Sequence, residues 1–278
     1  MAKTHWIFLF GNFVISCASL IMLIVSTTTM EWVRGNGATQ DGRTASLEAH
    51  YGLFKGTQEL HVFEVTSQYD LTMTCLFEHN ICGLSCQISS EARIEEISSI
   101  MRGVVPQDCP ITSSRSFQNK SIDFLLPRQE QSNQQFLNAG LWLSTIVFLG
   151  ITILLSFLTT VQSLVNILSN PIWSIFSVYG LYIWNGLSII FTMLTLILWG
   201  VLFATSVRFN IAVRQTLIGN MSSDGLASLG FSFWILLGPI ILHAVNIGLL
   251  LWRKWLIERE PPPVAINVAK NDFTILLY

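Results

Sequence analysis

Long apolar runs alternate with polar stretches along this chain, and the alternation predicts four membrane spans. The runs cover residues 6–29, 136–160, 177–206 and 229–252. The first run carries no Asp, Glu, Lys or Arg, and as a helix it would be about 36 Å long, enough to cross a hydrocarbon core of about 30 Å. A cleaved signal peptide is the alternative for this run, but its apolar region would be only about 7–15 residues. We therefore expect an uncleaved first span.

The polar stretches between the runs predict how the chain is placed across the membrane. An even number of spans puts residues 1–5, 161–176 and 253–278 on one side, and the loops 30–135 and 207–228 on the other. Both tails carry basic residues, which favours cytosolic termini under the positive-inside rule. These residues are Lys3, Arg253, Lys254, Arg259 and Lys270. We expect a multi-pass plasma-membrane protein with both loops extracellular.

The loop 30–135 has a pattern of its own that predicts a small antiparallel sheet. Its short runs of aromatic and β-branched residues read as strands, with Gly35, Gly37, Gly42 and Gly56 as separators. The runs are Trp32-Val33, residues 51–54, residues 61–65 and residues 71–77. Residues 90–102 read as a short helix capped by Ser89 or Ser90, with Ile94, Ile97 and Met101 on its apolar face.

Composition agrees with lipid as the solvent for much of the chain. Hydrophobic residues make up 51% of the chain and charged residues 12%, whereas about a quarter is usual for a soluble domain. The net charge of −2 gives no reason to expect a nucleic-acid partner.

Four of the five cysteines lie in the long loop, at Cys75, Cys82, Cys86 and Cys109. They allow three pairings into two disulfides. A zinc site that includes His79 is the alternative, although the spacing matches no standard zinc finger and an outer compartment favours disulfides. The fifth cysteine lies in the first span and reads as a packing residue.

Two N-glycosylation sequons fall in the loops that we expect to be outside. They begin at Asn119 and Asn220, and each predicts a surface position in an oxidising compartment.

The spans carry few polar residues that could do chemistry. Asn12, Asn185, His243 and Asn246 are the main candidates. His243 and Asn246 share a helix face, so they predict either a ligand or ion site or interhelical hydrogen bonds. We favour hydrogen bonds between helices, because no other ionisable group converges on them. The chain has no phosphate-binding glycine loop and no nucleophile elbow, so we expect no enzyme activity and no cofactor.

The C-terminal tail has a pattern that PDZ domains accept. Three prolines at 261–263 predict an extended spacer, and the chain then ends on Leu276-Leu277-Tyr278. In PDZ binding the peptide adds as a strand, so Leu276 and Tyr278 would enter pockets. An ordinary apolar tail is the alternative.

Taken together, these residues resemble the clarin family, within the wider claudin-like four-span group. Trp32 followed by Gly52-Leu53-Phe54 is similar to the claudin-group signature, with Phe54 in place of its second Trp. Further similar stretches are residues 179–182, residues 232–234 with His243, Asn246 and Gly248, and the tail from 267 to 278. Residues 57–135 are longer than in vertebrate clarins, and the cysteines do not match the claudin pair. The resemblance therefore implies a divergent, invertebrate member.

The resemblance implies an all-α membrane protein, a left-handed four-helix bundle capped by an extracellular sheet. It also implies a non-enzymatic role in sensory cells, organising plasma-membrane, synaptic or actin-linked complexes through a PDZ scaffold and an extracellular protein partner. A claudin-like barrier or pore in cell adhesion, and an auxiliary subunit of an ion channel, are the alternatives.

Overall fold

The structure of the chain is a computed structural model. The structure describes residues 2–39, 45–62, 65–104, 108–110, 113–114, 136–168, 177–211 and 221–259. Several predictions fall outside these residues: both glycosylation asparagines and the tail with Leu276 and Tyr278.

Six α-helices occur in the described part of the chain, and they are numbered in chain order. They are α1 (Ala2–Thr28), α2 (Ser90–Met101), α3 (Ala139–Leu168), α4 (Val178–Leu202), α5 (Phe231–Trp234) and α6 (Leu237–Arg259). Helix α4 continues into a π-helical turn at Phe203–Val207.

Four helical segments are long and apolar enough to cross a membrane, so the prediction of a multi-pass membrane protein is confirmed. The segments are Trp6–Thr28, Ala139–Leu168, Val178–Val207 and Phe231–Arg259. Helices α1 and α4 do not face each other; each packs against both α3 and α6. The four spans thus form a closed bundle.

The buried positions of the bundle recur at alternating intervals of three and four residues. On α4 the buried positions include Leu181, Asn185, Ser188, Thr192 and Thr195. The mean interval is about 3.5 residues, the repeat that favours a left-handed supercoil. Most of these side chains are small and polar, whereas large apolar side chains face outward, as close helix packing in lipid requires.

Two helices differ from their predicted extents for identifiable reasons. Helix α3 continues to Leu168 instead of ending near 160, because Gln162, Ser163 and Asn166 face inward and no proline interrupts the helix before residue 171. The fourth span is interrupted between α5 and α6, and Pro239 lies in the first turn of α6, where a missing backbone N–H costs little.

The described residues form a sheet of nine strands, so the prediction of a small sheet is wrong. The strands are β1 (Val33–Thr39), β2 (Ala45–Tyr51), β3 (Lys55–Val62), β4 (Val65–Leu76), β5 (Ile81–Ser85), β6 (Ser113–Ser114), β7 (Leu137–Asn138), β8 (Met221–Ser222) and β9 (Ala227–Leu229). Their order is β7-β5-β4-β3-β2-β1-β8, with β6 beside β4 and β9 beside β1. All pairs are antiparallel.

The strands differ from the prediction in two places. Gly35 and Gly37 do not separate strands but lie within β1, and a side chain at Gly35 would come within 2.8 Å of the Ala227 Cα atom in β9. The glycine thus permits two strands to approach closely. Residues 51–54 were predicted to be a strand, but only Tyr51 belongs to one, at the end of β2, and residues 52–54 form the turn between β2 and β3.

Helix α2 forms as predicted, but its buried face differs. Ser89 is the cap, and its side chain accepts a hydrogen bond of 3.1 Å from the Ala92 N–H. Ile97 and Ile100 are buried, together with Glu96, whereas Ile94 is 45% exposed. The carboxylate of Glu96 accepts a hydrogen bond from the Ser85 hydroxyl on β5. The buried face thus keeps the predicted Ile97 but includes Glu96 and Ile100 in place of Ile94.

All four loop cysteines form disulfides. Cys75 pairs with Cys82 across β4 and β5, and Cys86 pairs with Cys109 beside α2. The prediction of disulfides is therefore confirmed. Because the four sulfurs are oxidised, none is available as the thiolate that the zinc alternative needs.

Candidate functional site

Polar side chains from all four spans meet in the middle of the bundle. We call this group the central polar cluster; it comprises Ser16 and Ser19 of α1, Ser156 of α3, Asn185 of α4, and His243 and Asn246 of α6. All six are buried. The 3.5-residue repeat brings them together, because it directs one side chain of each helix toward the bundle axis at every turn.

His243 is the centre of this cluster. Its Nδ1 atom lies 2.7 Å from Asn185 Oδ1, and its Nε2 atom lies 2.9 Å from the Ser19 hydroxyl and 2.8 Å from the Ser156 hydroxyl. Asn185 uses its amide N–H to bond the Leu181 carbonyl at 2.7 Å, so its oxygen is the acceptor for His243. The neutral imidazole thus donates from Nδ1, and the single lone pair of Nε2 is shared as an acceptor by the Ser19 and Ser156 hydroxyls.

Two asparagines extend the network along the bundle axis. The Asn246 amide donates to the Ser16 hydroxyl at 3.0 Å and to Asn185 Oδ1 at 3.3 Å. Asn12 donates to the Asn246 backbone carbonyl at 3.2 Å and accepts from the Ser163 hydroxyl at 3.1 Å. Because each bond joins side chains or backbone of different helices, the network ties the four spans together.

This geometry favours interhelical hydrogen bonding over a ligand site. Both nitrogens of His243 are used within the protein, as are both functional groups of Asn12 and Asn185. A ligand would have to replace these bonds in a low-dielectric interior, where each lost bond is costly.

A second site joins the bundle to the sheet. Trp32 is fully buried, and its Nε1–H donates to the Ser26 carbonyl of α1 at 2.7 Å. Its ring forms T-shaped pairs with the rings of Trp199 and Phe233, whose centroids are 5.0 and 6.4 Å away. We call Trp32, Trp199, Phe233 and Ser26 the Trp32 junction; it joins β1 to α1, α4 and α5.

The remaining residues of the family motif seat the turn between β2 and β3 on the bundle. A side chain at Gly52 would collide with the Thr29 carbonyl at the end of α1. The Leu53 carbonyl accepts a hydrogen bond of 3.0 Å from Trp142 Nε1 of α3, and the Phe54 ring meets the Trp142 ring edge-on. Leu53 is buried, so this turn is in contact with two spans.

The second loop is fastened to the same place. The Gly230 N–H donates to the Trp32 carbonyl at 2.9 Å, and the Ser232 N–H donates to the Glu31 carbonyl at 2.9 Å. Strands β8 and β9 of this loop both pair with β1. The two loops therefore lie on the same side of the bundle and build one sheet.

The serines of both sites were not predicted. Ser156, Ser163, Ser26 and Ser232 were not singled out, although each contacts a predicted polar residue or the Trp32 junction. The signal was present in the sequence: Asn12, Ser16, Ser19 and Ser26 fall at the intervals of four, three and seven residues that mark one face of a helix in a bundle.

Comparison with known proteins supports a clarin-family relationship. The chain is 32% identical to human Clarin-3 over 111 residues, which is 40% of this chain and 49% of the relative. It is 30% identical to mouse Clarin-3 over 116 residues, 41% of this chain and 51% of the relative. The chain spans about half the length of the curated relatives it matches. No family model matches the chain.

Proposed function

We propose that this clarin-like four-span membrane protein is not an enzyme but an organiser of membrane protein complexes. In this proposal it gathers plasma-membrane, synaptic or actin-linked proteins in sensory cells. The sheet would meet an extracellular partner on one side of the membrane, and the tail would meet a PDZ scaffold on the other.

The Trp32 junction is the observation that carries this proposal. A protein that links partners across a membrane needs its binding surfaces held in fixed positions relative to its spans. Here Trp32 ties the sheet to α1, α4 and α5, and Trp142 holds the turn between β2 and β3 on α3. The sheet and the bundle share one continuous apolar core, which supports a single rigid body presenting the sheet.

The central polar cluster supports the non-enzymatic part of the proposal. The imidazole of His243 and the amide of Asn185 have all their donors and acceptors bonded within the protein, and Asn246 Oδ1 is the buried atom of the cluster with no partner among the described residues. Bonds between four helices dominate, so the cluster acts as a structural tie. A transporter or a membrane enzyme would instead direct such groups toward a substrate path.

Affinity purification from sensory cells that express the full chain tests whether the tail binds a PDZ scaffold. In strand addition to a PDZ groove, alternate side chains enter the pockets. Leu276→Ser and Tyr278→Ser should therefore abolish capture of a PDZ scaffold and of the actin-linked proteins bound to it. Leu277→Ser is the matched control, because its side chain would point away from the groove.

Equal capture by all three variants would contradict the PDZ proposal. A stoichiometric channel subunit that is captured regardless of the tail would favour the channel-auxiliary alternative. Polymer strands at cell contacts, seen by freeze-fracture electron microscopy, would favour the claudin-like alternative.

A further inference from the structure

The turn between β4 and β5 lies at the start of the span α3. In the antiparallel ladder Leu76 is opposite Ile81, and Ile81 in turn is opposite Asn138 of β7. Asn138 immediately precedes α3. The turn, Phe77–Asn80, therefore lies at the bundle end of the sheet, whereas Val65 at the other end of β4 is about 36 Å away along the strand.

Asn80 fixes the turn to the first residues of α3. Its backbone carbonyl accepts from the Ala139 N–H at 3.2 Å, and its side-chain oxygen accepts from the Gly140 N–H at 2.9 Å. Asn80 adopts the left-handed conformation, with φ of 54°, which asparagine tolerates better than most residues. The rest of the turn is thereby held beside the helix start.

The Phe77 side chain projects from this fixed turn and is largely uncovered by the residues that the structure describes. Its side chain is 58% exposed, and Glu78 and His79 next to it are exposed as well. The exposed apolar surface continues down α3 through Leu143 and Val147, which lie in the span. Phe77 thus extends the lipid-facing surface of the bundle onto the sheet.

The level of the bilayer can be placed from the opposite end of the bundle. Arg253 and Lys254 are the first charged residues in the fourth span. About 20 residues of helix cover the roughly 30 Å of hydrocarbon, and counting back from Arg253 reaches Phe233, in the Trp32 junction. The hydrocarbon boundary thus lies where the sheet begins.

The position of the hydrocarbon boundary on α3 follows from the turn between β2 and β3. The turn between β2 and β3 contacts Thr29 near the junction and Trp142 of α3. Trp142 therefore lies near the boundary, and Ala139 lies about one helical turn, roughly 5 Å, beyond it. This depth falls in the headgroup region, which adds about 5–7 Å on each side of the hydrocarbon.

We propose that the Phe77–Asn80 turn lies in the lipid headgroup region and that the Phe77 ring is inserted toward the acyl chains. Aromatic rings are favoured at this depth, and the polar Glu78 and His79 can remain hydrated beside it. The bilayer would then hold the far edge of the sheet, opposite the edge at β1 that the Trp32 junction holds. This contact does not depend on the proposed organising role.

Spin labels at single cysteines test the depth of the turn. The full-length protein, with Cys17→Ala in every variant and both disulfides intact, is reconstituted in phosphatidylcholine nanodiscs. Labels are placed at Phe77→Cys and Glu78→Cys on the turn, and at Val65→Cys as the matched control. Val65 is an apolar residue of the same strand, 39% exposed, at the end far from the bundle.

The measured quantity is the ratio of label collisions with oxygen to label collisions with a water-soluble nickel chelate. We expect this ratio to be severalfold higher at position 77 than at position 65. A label at position 77 with the aqueous accessibility of position 65 overturns the proposal, and that result is also expected if a partner protein normally covers the ring. If the Phe77→Cys variant does not fold, the label at position 78 decides in nanodiscs that contain nickel-chelating lipid headgroups. A hydrated position in the headgroup region should collide with this nickel severalfold more often than position 65 does, and equal collision rates at positions 78 and 65 overturn the proposal.

Discussion

At the residue scale, His243 shows why a polar side chain can stabilise a bundle that lies in lipid. It bonds Ser19, Ser156 and Asn185, which belong to three other helices. In lipid the association of helices gains little from apolar burial, so close packing and interhelical hydrogen bonds determine which helices meet. A single residue that contacts three helices therefore influences the whole arrangement.

Replacing His243 by leucine should destabilise the bundle by about 2 kcal/mol, since three interhelical hydrogen bonds are lost and each contributes about 0.6 kcal/mol on average. The change is measured by reversible unfolding in bicelles. Val245→Ala is the control, because Val245 is exposed on the same helix and should change stability much less. A double-mutant cycle with Asn185→Leu should show coupling. Unchanged stability of His243→Leu would contradict the structural role and return the ligand-site alternative to consideration.

At the element scale, close backbone approach determines how the second loop joins the sheet. Gly230 lies just before α5, and a side chain there would collide with the Glu31 carbonyl. Gly230→Ala should therefore displace the hydrogen bond between Gly230 and Trp32 and lower stability by more than 1 kcal/mol, as strained or lost backbone contacts do. Gly150→Ala is the matched control, since a side chain at Gly150 in α3 meets nothing within 4 Å. Thermal unfolding of both variants should show a loss for the first alone; equal melting temperatures would contradict this role of Gly230.

The two disulfides should also contribute unequally to the stability of the sheet. Cys86–Cys109 closes a separation of 23 residues and Cys75–Cys82 a separation of 7. Loop-closure entropy predicts about 3.4 kcal/mol for the longer loop and about 2.4 kcal/mol for the shorter one. Replacing each pair by alanines, followed by unfolding without reductant, should give the larger loss for Cys86 and Cys109. The reverse order would show that native-state contacts, rather than chain entropy, dominate.

The spans were predictable because lipid imposes a strong and uniform constraint, a run of about 20 apolar residues. The sheet was predicted less well, since β-propensity depends on context. Gly35 and Gly37 lie in β1 because neighbouring strands approach there, and this requirement cannot be seen in the local sequence. In the central polar cluster, His243 and the asparagines stood out as rare residues within spans. Ser156 and Ser163 did not, because serine is common in spans and only the repeat along the whole helix reveals which serines face inward.

At the scale of the whole molecule, the sheet determines which parts of the chain share a side of the membrane. Strand β1 from the long loop pairs with β8 and β9 from the loop before the fourth span, so both loops lie on one side. With four spans, both termini then lie on the other side. The two disulfides of the sheet favour an oxidising compartment on that side of the membrane, so cytosolic termini are the prediction.

We therefore predict that epitope tags at both termini are detected only after cells are permeabilised, and that Asn119 carries a glycan. Asn119→Gln should abolish the mobility shift that glycosidase treatment produces at this site. Lys120→Ala is the matched control, because it keeps the Asn-x-Ser sequon and should remain glycosylated. Tags accessible on intact cells, together with an unmodified Asn119, would place the sheet in the cytosol. That orientation would be hard to reconcile with the two disulfides, and it would exclude an extracellular partner for the sheet.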